Sequence, residues 1–403
     1  MGTKTSKRIN DEDSINTRRN SSFFSSQTVR RSYADWICHS PLISSDIDRL
    51  TNEEINHFRK HQQITKNFPN SQTKHQNSPS KNLLRIEQLV ESPSNKENSL
   101  STIDFNQLNS LGNFRITLID QSDLQNAHEI GKGNFGTVYH ALYKNKRAVA
   151  LKTLHSSSQE NYSNENLLKL LFEAHIMTQL EHENLLNILG VTFYGENQQL
   201  SLVTDYMKNG SLLTYLRKHR NHFYKSSRKE INQKLDHFSQ QIFQAMLYLE
   251  QRKIIHRDLA ARNCLIDHED HLKVADFGLT KLTDCGLYKG NAKTIFAIRW
   301  SSPEVILNMK YSSRSDVWSF GITLWEIYSL GERPFGYFNN QTVKNLLKTS
   351  SSNFSQYFPQ SQQFGSNEVY THLILPCLTY NVTLRPSFKD LNERISKILN
   401  ENK

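Results

Sequence analysis

The sequence predicts an α+β fold in two unequal parts, a small sheet carrying one helix and then a larger, mainly helical lobe. Three observations predict it. Short runs with strand texture gather early, at Ile116-Thr117-Leu118-Ile119, Thr137-Val138-Tyr139 and Ala148-Val149-Ala150-Leu151, around a glycine-rich turn. Leu168, Phe172, Ile176 and Leu180 then recur at intervals of four, which marks an amphipathic helix across residues 165 to 180. Farther on, Leu235, Phe238, Ile242, Ala245 and Leu249 line the face of a second helix. The run from Val317 to Trp325, flanked by Asp316 and Glu326, reads as a buried core helix, because it falls well short of the roughly 20 residues that span a bilayer.

Residues 1–114 have a different texture. Ser, Asn, Gln and charge dominate, apolar residues come singly, and disorder is expected there. Two short clusters, Tyr33-Ala34-Asp35-Trp36-Ile37 and Leu83-Leu84-Arg85-Ile86, are candidate docking points, and no internal repeat occurs. The folded unit is expected over 115–399, with the lobes meeting near 207 and 208. Over all 403 residues, 49 Lys and Arg against 39 Asp and Glu leave a net charge of +10, which favours anionic partners. Nucleic acid is not expected among them, since no basic run interleaves with aromatics and no zinc-ligand spacing occurs. Cys38, Cys264, Cys285 and Cys377 are scattered without a CxxC pair, as free thiols of a reducing compartment would be. The polar start, MGTKTSKRINDEDS, lacks the apolar core of a secretory signal.

Chemistry gathers in four places. Gly131-Lys132-Gly133-Asn134-Phe135-Gly136 lies between two strands, where a glycine hairpin brings backbone amides close to phosphates with no side chain between. Lys152 ends the strand that follows, sixteen residues beyond Gly136, and is a cation suited to α- and β-phosphates once a carboxylate fixes it. Glu173 is the natural partner, on the helix face that carries Met177 one turn later. Downstream, Asp258 is placed to accept a hydroxyl proton, while Asn263 and Asp276, the latter in Asp276-Phe277-Gly278, offer oxygens to Mg2+. Positioning and charge neutralisation are what phosphoryl transfer requires, and this set supplies both.

With these motifs in place, residues 115 to about 399, about seven-tenths of the chain, resemble a protein-kinase catalytic domain. The resemblance implies a two-lobed protein-kinase fold: a small N-lobe with an antiparallel β-sheet and one regulatory helix, and a larger, mainly helical C-lobe. It also implies ATP as phosphate donor with Mg2+, or alternatively Mn2+, and protein substrates as acceptors. His256-Arg257-Asp258-Leu259-Ala260-Ala261-Arg262-Asn263 takes the tyrosine-specific form, with Ala260 where the Ser/Thr branch carries lysine and Arg262 four residues after Asp258. Further positions follow from the resemblance. Thr204 falls at the gatekeeper, Asp205 and Met207 present hinge backbone to adenine, and Val138, Ala150 and Leu265 sandwich the ring. Met177, Ile188, His256 and Phe277 form an apolar column anchored by Asp316, and Glu304 pairs with Arg385. Tyr288, twelve residues before Trp300, is the expected autophosphorylation site, its phosphate pairing with Arg257. Two departures stand out: Ala297 replaces the proline common in the substrate platform, and Leu378 replaces a tryptophan.

The N-terminus adds a membrane reading. Met1-Gly2-Thr3-Lys4-Thr5-Ser6 fits N-myristoylation at Gly2, and Lys4, Lys7 and Arg8 add attraction to an anionic inner leaflet. That start is similar to Src-type kinases, although no adaptor module is recognisable and Asp11, Glu12 and Asp13 soften the patch. The expected setting is therefore the cytoplasm at the inner face of the plasma membrane. A dual-specific kinase, a nucleotide-binding pseudokinase scaffold and the intracellular part of a receptor kinase are the alternatives; the Met-Gly start speaks against the last.

Overall fold

Alternation along the third strand explains the first layer. Val149 and Leu151 turn to one apolar cluster with Ile119, Leu124, Ala141 and Val203, while Ala150 between them turns to the main core with Val138. In this computed structural model the described residues are 116–132, 136–154, 164–195, 199–283, 286–290, 296–349, 354–361 and 363–400. The tail features, Gly2, Lys4, Lys7 and Arg8 included, lie outside them, as do Gly133, Asn134 and Phe135.

Five antiparallel strands form the N-lobe sheet in the order β1-β2-β3-β5-β4. They are β1 (Leu124–Lys132), β2 (Gly136–Tyr143), β3 (Arg147–Leu154), β4 (Ile188–Tyr194) and β5 (Gln199–Asp205). Between β2 and β3, Lys144 and Asn145 both adopt left-handed backbone, the geometry that closes a tight hairpin in step with the strand twist. The helix expected over 165–180 is α1 (Asn164–Thr178), inserted between β3 and β4.

One expectation changes. The run Ile116–Ile119 does not lead into the glycine turn. It lies along β4, where Leu118 bridges Val191, and Ile119 and Val191 exchange backbone bonds with Val191 and Thr117. The approach is so close that a Cβ on Gly190 would come within 2.2 Å of the Thr117 carbonyl oxygen. The strand before the turn is β1, whose sequence LQNAHEIGK hid it, since only Leu124, Ile130 and Gly131 are buried on this edge.

The C-lobe starts with β6 (Gly210–Ser211), α2 (Leu212–Lys225) and α3 (Arg228–Gln251), which contains the five expected apolar positions. Short strands follow: β7 (Ile254–Ile255), β8 (Cys264–Ile266), β9 (Leu272–Val274), β10 (Lys281–Leu282) and β11 (Leu287–Lys289). Next come α4 (Pro303–Asn308), β12 (Lys310–Ser312) and α5 (Ser313–Tyr328). The chain ends with α6 (Asn340–Thr349), a π-helical segment at Val369–Ile374 running into α7 (Leu375–Cys377), and α8 (Phe388–Asn400). A capping box from Ser312 and Ser315 starts α5, and every residue from Ser315 to Tyr328 is buried. Buried on all sides, α5 is the central beam of the lobe. Phe320 from it and Phe243 from α3 meet Phe388 of α8, with ring centroids 5.5 and 6.2 Å away.

Candidate active site

β3 ends by carrying Lys152 inward, and α1 presents Glu173 to it. The Lys152 Nζ donates to Glu173 Oε1 at 3.2 Å and lies 3.8 Å from Asp276 Oδ1. Burial alone would pull this ammonium down, but the charges of Glu173 and Asp276 together hold its pKa above the ordinary lysine value. Asp276 adopts left-handed backbone, at φ 65°, and the next side chain, Phe277, is fully buried with its ring 5.5 Å from that of His256. Met177 lies in the same core, with Ile188 packed against it. Gly131 and Lys132 close β1 opposite Val138 and Thr137, and Gly136 opens β2. Val138, Ala150, Met207 and Leu265 belong to one buried cluster, and Thr204 stands opposite Ala150 in the β3–β5 register.

The acceptor side is built within a few residues of one loop. Arg262 donates to Asp258 Oδ1, and Asn263 Nδ2 donates at 2.7 Å to both the Asp258 carbonyl and its Oδ2. Burial pushes the Asp258 carboxyl up to about 7, with Arg262 pulling the other way. His256 is held neutral, its pKa depressed by burial to about 4. That state agrees with its contacts, for Nδ1 accepts from the Asp258 amide at 3.3 Å while Nε2 faces the Ala275 carbonyl at 3.2 Å as donor. Beneath the loop, Asp316 of α5 accepts from the amides of His256 at 2.8 Å and Arg257 at 3.0 Å. Arg257 itself is at φ 73°, a conformation those two bonds help to hold.

With Nδ2 spent on Asp258, Asn263 Oδ1 is buried and has no hydrogen-bond partner among the described residues. A buried amide oxygen in that state, on a side chain bonded to the Asp258 carboxylate and with its backbone carbonyl bonded to Ala275 next to Asp276, suits a hard, oxygen-seeking divalent cation. The donor set therefore fits Mg2+.

Between Asp276 and Glu304, Tyr288 pairs with Tyr311 across β11 and β12. The Arg257 guanidinium lies over both rings, 4.6 and 4.3 Å from their centroids, and Lys281 Nζ is 5.4 Å from that of Tyr288. Glu304 and Arg385 make a bidentate pair at 2.7 and 3.0 Å, and Arg385 also donates to the carbonyls of Arg314, Thr379 and Tyr380. Ala297 holds φ −78°, within proline's range, and its carbonyl accepts from Trp300 N and Ser301 Oγ, both at 2.9 Å. The departure from proline thus leaves the platform's backbone path intact.

Several residues here escaped the sequence reading. Asn184 donates to Gln241 Oε1 and the Leu272 carbonyl, tying the loop before β4 to the C-lobe. The Asp205 side chain joins Arg147 at 2.5 Å and Lys273 at 2.9 Å, an ion bridge from N-lobe to C-lobe beside the hinge. Glu326 lies buried under the catalytic loop. Asp205 was read for its hinge backbone and not for this side-chain bridge, and Glu326 left a signal as a charge bounding an apolar helix.

A family model described as protein tyrosine and serine/threonine kinase matches residues 124–395. The chain is 35% identical over 291 residues to tyrosine-protein kinase Fer of Mus musculus, covering 72% of this chain and 33% of that one. It is 36% identical over 280 residues to human tyrosine-protein kinase TXK, covering 70% and 49%. To the tyrosine-protein kinase transforming protein Abl of Abelson murine leukemia virus it is 34% identical over 285 residues, covering 70% and 35%. The chain thus spans between a third and a half of the length of these relatives. Among the described residues, no helix is long and apolar enough to cross a membrane.

Proposed function

The chain belongs to the protein tyrosine and serine/threonine kinase family, and on that premise we propose that it is an ATP-dependent protein-tyrosine kinase acting on protein substrates in intracellular signalling. The observation that carries this reading is the geometry of two bonded sets, Asp258 with Arg262 and Asn263, and Lys152 with Glu173 and Asp276. The catalytic domain is taken as 115–399, with lobes of about 115–207 and 208–399.

In this mechanism Asp258 orients the acceptor hydroxyl and takes its proton as the new oxygen–phosphorus bond forms. Arg262 faces the developing charge from four residues along the loop, because Ala260 leaves the nearer position without a cation. Lys152, fixed by Glu173, holds phosphate oxygens, and Gly131, Lys132, Gly133, Asn134, Phe135 and Gly136 cover them. Thr204, Asp205, Met207, Val138, Ala150 and Leu265 frame the adenine. Asn263 and Asp276 would hold Mg2+, which would supply positive charge to offset that of the phosphates.

Incubation with labelled ATP tests the proposal directly. The full chain should label a tyrosine peptide, and Asp258→Asn should lower the rate by about 10²–10⁴-fold, as loss of a positioned base does. Equal incorporation by the two proteins would instead favour a nucleotide-binding scaffold. The tail reading, an acyl chain on Gly2 with Lys4, Lys7 and Arg8 holding the protein to the inner leaflet, predicts that Gly2→Ala moves the protein to soluble fractions; unchanged partition would end it.

A further inference from the structure

Glu326 is a carboxylate in the wrong place for an inert core helix. It sits in the fourth turn of α5 with 1% of its surface exposed, and burial raises its pKa ahead of every compensating contact. A buried acid is costly unless its oxygens are used, and one of these is used twice. Glu326 Oε2 accepts from the Ala261 amide at 3.0 Å and from the Trp300 indole Nε1 at 2.9 Å. Oε1 has no hydrogen-bond partner among the described residues.

The two donors belong to different working parts. Ala261 lies inside the catalytic loop between Asp258 and Asn263, whereas Trp300 ends the platform that begins at Ala297. Trp300 in turn lies under Arg262, whose guanidinium carbon is 4.3 Å from the indole centroid and whose Nη2 donates to Asp258. The same helix grips the platform a second time, for Ser319 Oγ donates to the Trp300 carbonyl at 2.8 Å. One oxygen atom therefore fixes the distance between the acceptor platform and the loop carrying the proton acceptor.

We infer that Glu326 is a positioning residue for the acceptor: through Trp300 and Ala261 it sets where Arg262 and Asp258 stand relative to an incoming tyrosine hydroxyl. The inference rests on the tyrosine-kinase reading given above. It makes Glu326 selective in effect. Among the described residues its side-chain hydrogen bonds go to Ala261 and Trp300, and neither to Lys152 and Glu173 nor to the N-lobe strands that frame the adenine, so disturbing it should alter the use of the acceptor more than that of ATP.

The experiment is steady-state kinetics of the full chain with a tyrosine peptide, its serine counterpart and ATP varied separately. Glu326→Leu, which removes both acceptor bonds, should cut kcat/KM for the tyrosine peptide by about tenfold or more, in line with losing two hydrogen bonds. KM for ATP should change by less than about twofold. Glu326→Gln retains an oxygen able to accept both bonds and should recover most of the loss. Should the leucine variant fail to fold, Trp300→Phe keeps the ring under Arg262 and deletes only the indole donor; it should reproduce the acceptor-side loss in smaller measure and add little to Glu326→Gln beyond its own effect. Unchanged tyrosine-peptide kinetics in both Glu326→Leu and Trp300→Phe overturns the inference, as does a parallel rise in KM for ATP that glutamine does not reverse. Wild-type protein that phosphorylates only the serine peptide would overturn the tyrosine reading first, and this inference with it.

Discussion

Lys152 and Asp258 are held in opposite ways. The lysine, near the end of β3, is held by side chains from two distant segments, Glu173 of α1 at 3.2 Å and Asp276 at 3.8 Å. The aspartate is held by neighbours four and five residues along its own loop, and that loop is bonded to α5 at His256, Arg257 and Ala261. A shift of α1 against the sheet would separate Glu173 from Lys152 while leaving the C-lobe packing in place. Dissolving the second requires opening the C-lobe. The joint at Lys152 is therefore the one that displacement of α1 breaks, and the loop at Asp258 is a fixture.

The largest effect should come from attacking the fixture. Arg385→Leu strands Glu304 and three carbonyls in a site where the arginine side chain is fully buried, and breaking such a pair should destabilise the fold by about 3–5 kcal/mol. Denaturant unfolding reads this as a lower midpoint with an unchanged slope. An intact midpoint would mean that the C-lobe is not the rigid half.

Glu173→Gln is the contrasting test. It should lower kcat/KM for ATP by about tenfold or more, since the Lys152 ammonium loses its charged partner, while thermal unfolding moves by only a few degrees. If activity and stability fell together as steeply as in Arg385→Leu, the contrast between the two sides would collapse.

Acid offers a finer probe, because α1 also carries His175, which is buried and has its pKa pulled down to about 4 by that burial. Between about pH 6.5 and about 4, the unfolded chain binds a proton that the folded chain refuses. Stability should therefore fall with decreasing pH across that window, by at most about 1.4 kcal/mol per unit from this group. His175→Gln should flatten that limb of a pH–stability curve. An unaltered slope would assign acid sensitivity elsewhere.

The smallest change is Tyr288→Phe. The ring can stay on Arg257, so initial activity should persist, but the lag before full activity in an ATP-fed time course should disappear. A lag of the same length in both proteins would remove Tyr288 as a switch.

How much of this could be read from sequence depended on whether residues act locally or at long range. Asp258, Arg262 and Asn263 fall within one loop, so their spacing alone carried their relation. Lys152 and Glu173 were legible because strand and helix periodicity place each on a known face. Arg385 was matched to Glu304, 81 residues away, only through the family resemblance. The failures have the same physical root. β1 is an edge strand with a polar sequence, so it lacks the alternation that reveals a half-buried strand. Asn184 and Gln241 are common polar residues whose importance lies wholly in meeting across the lobes.

Helix α5 has one more consequence. Asp316, Ser319 and Glu326 lie on nearly the same side of it, and at about 1.5 Å per residue they span roughly 15 Å of its length. The separation between the start of the catalytic loop and the acceptor platform is thus copied from a covalent ruler, not from the lengths of the loops it supports. Those loops can change side chains away from these bonds and still be returned to the same marks. The ruler cannot: one residue inserted between Ser319 and Glu326 would turn the last mark by about 100° and leave the platform without its reference point.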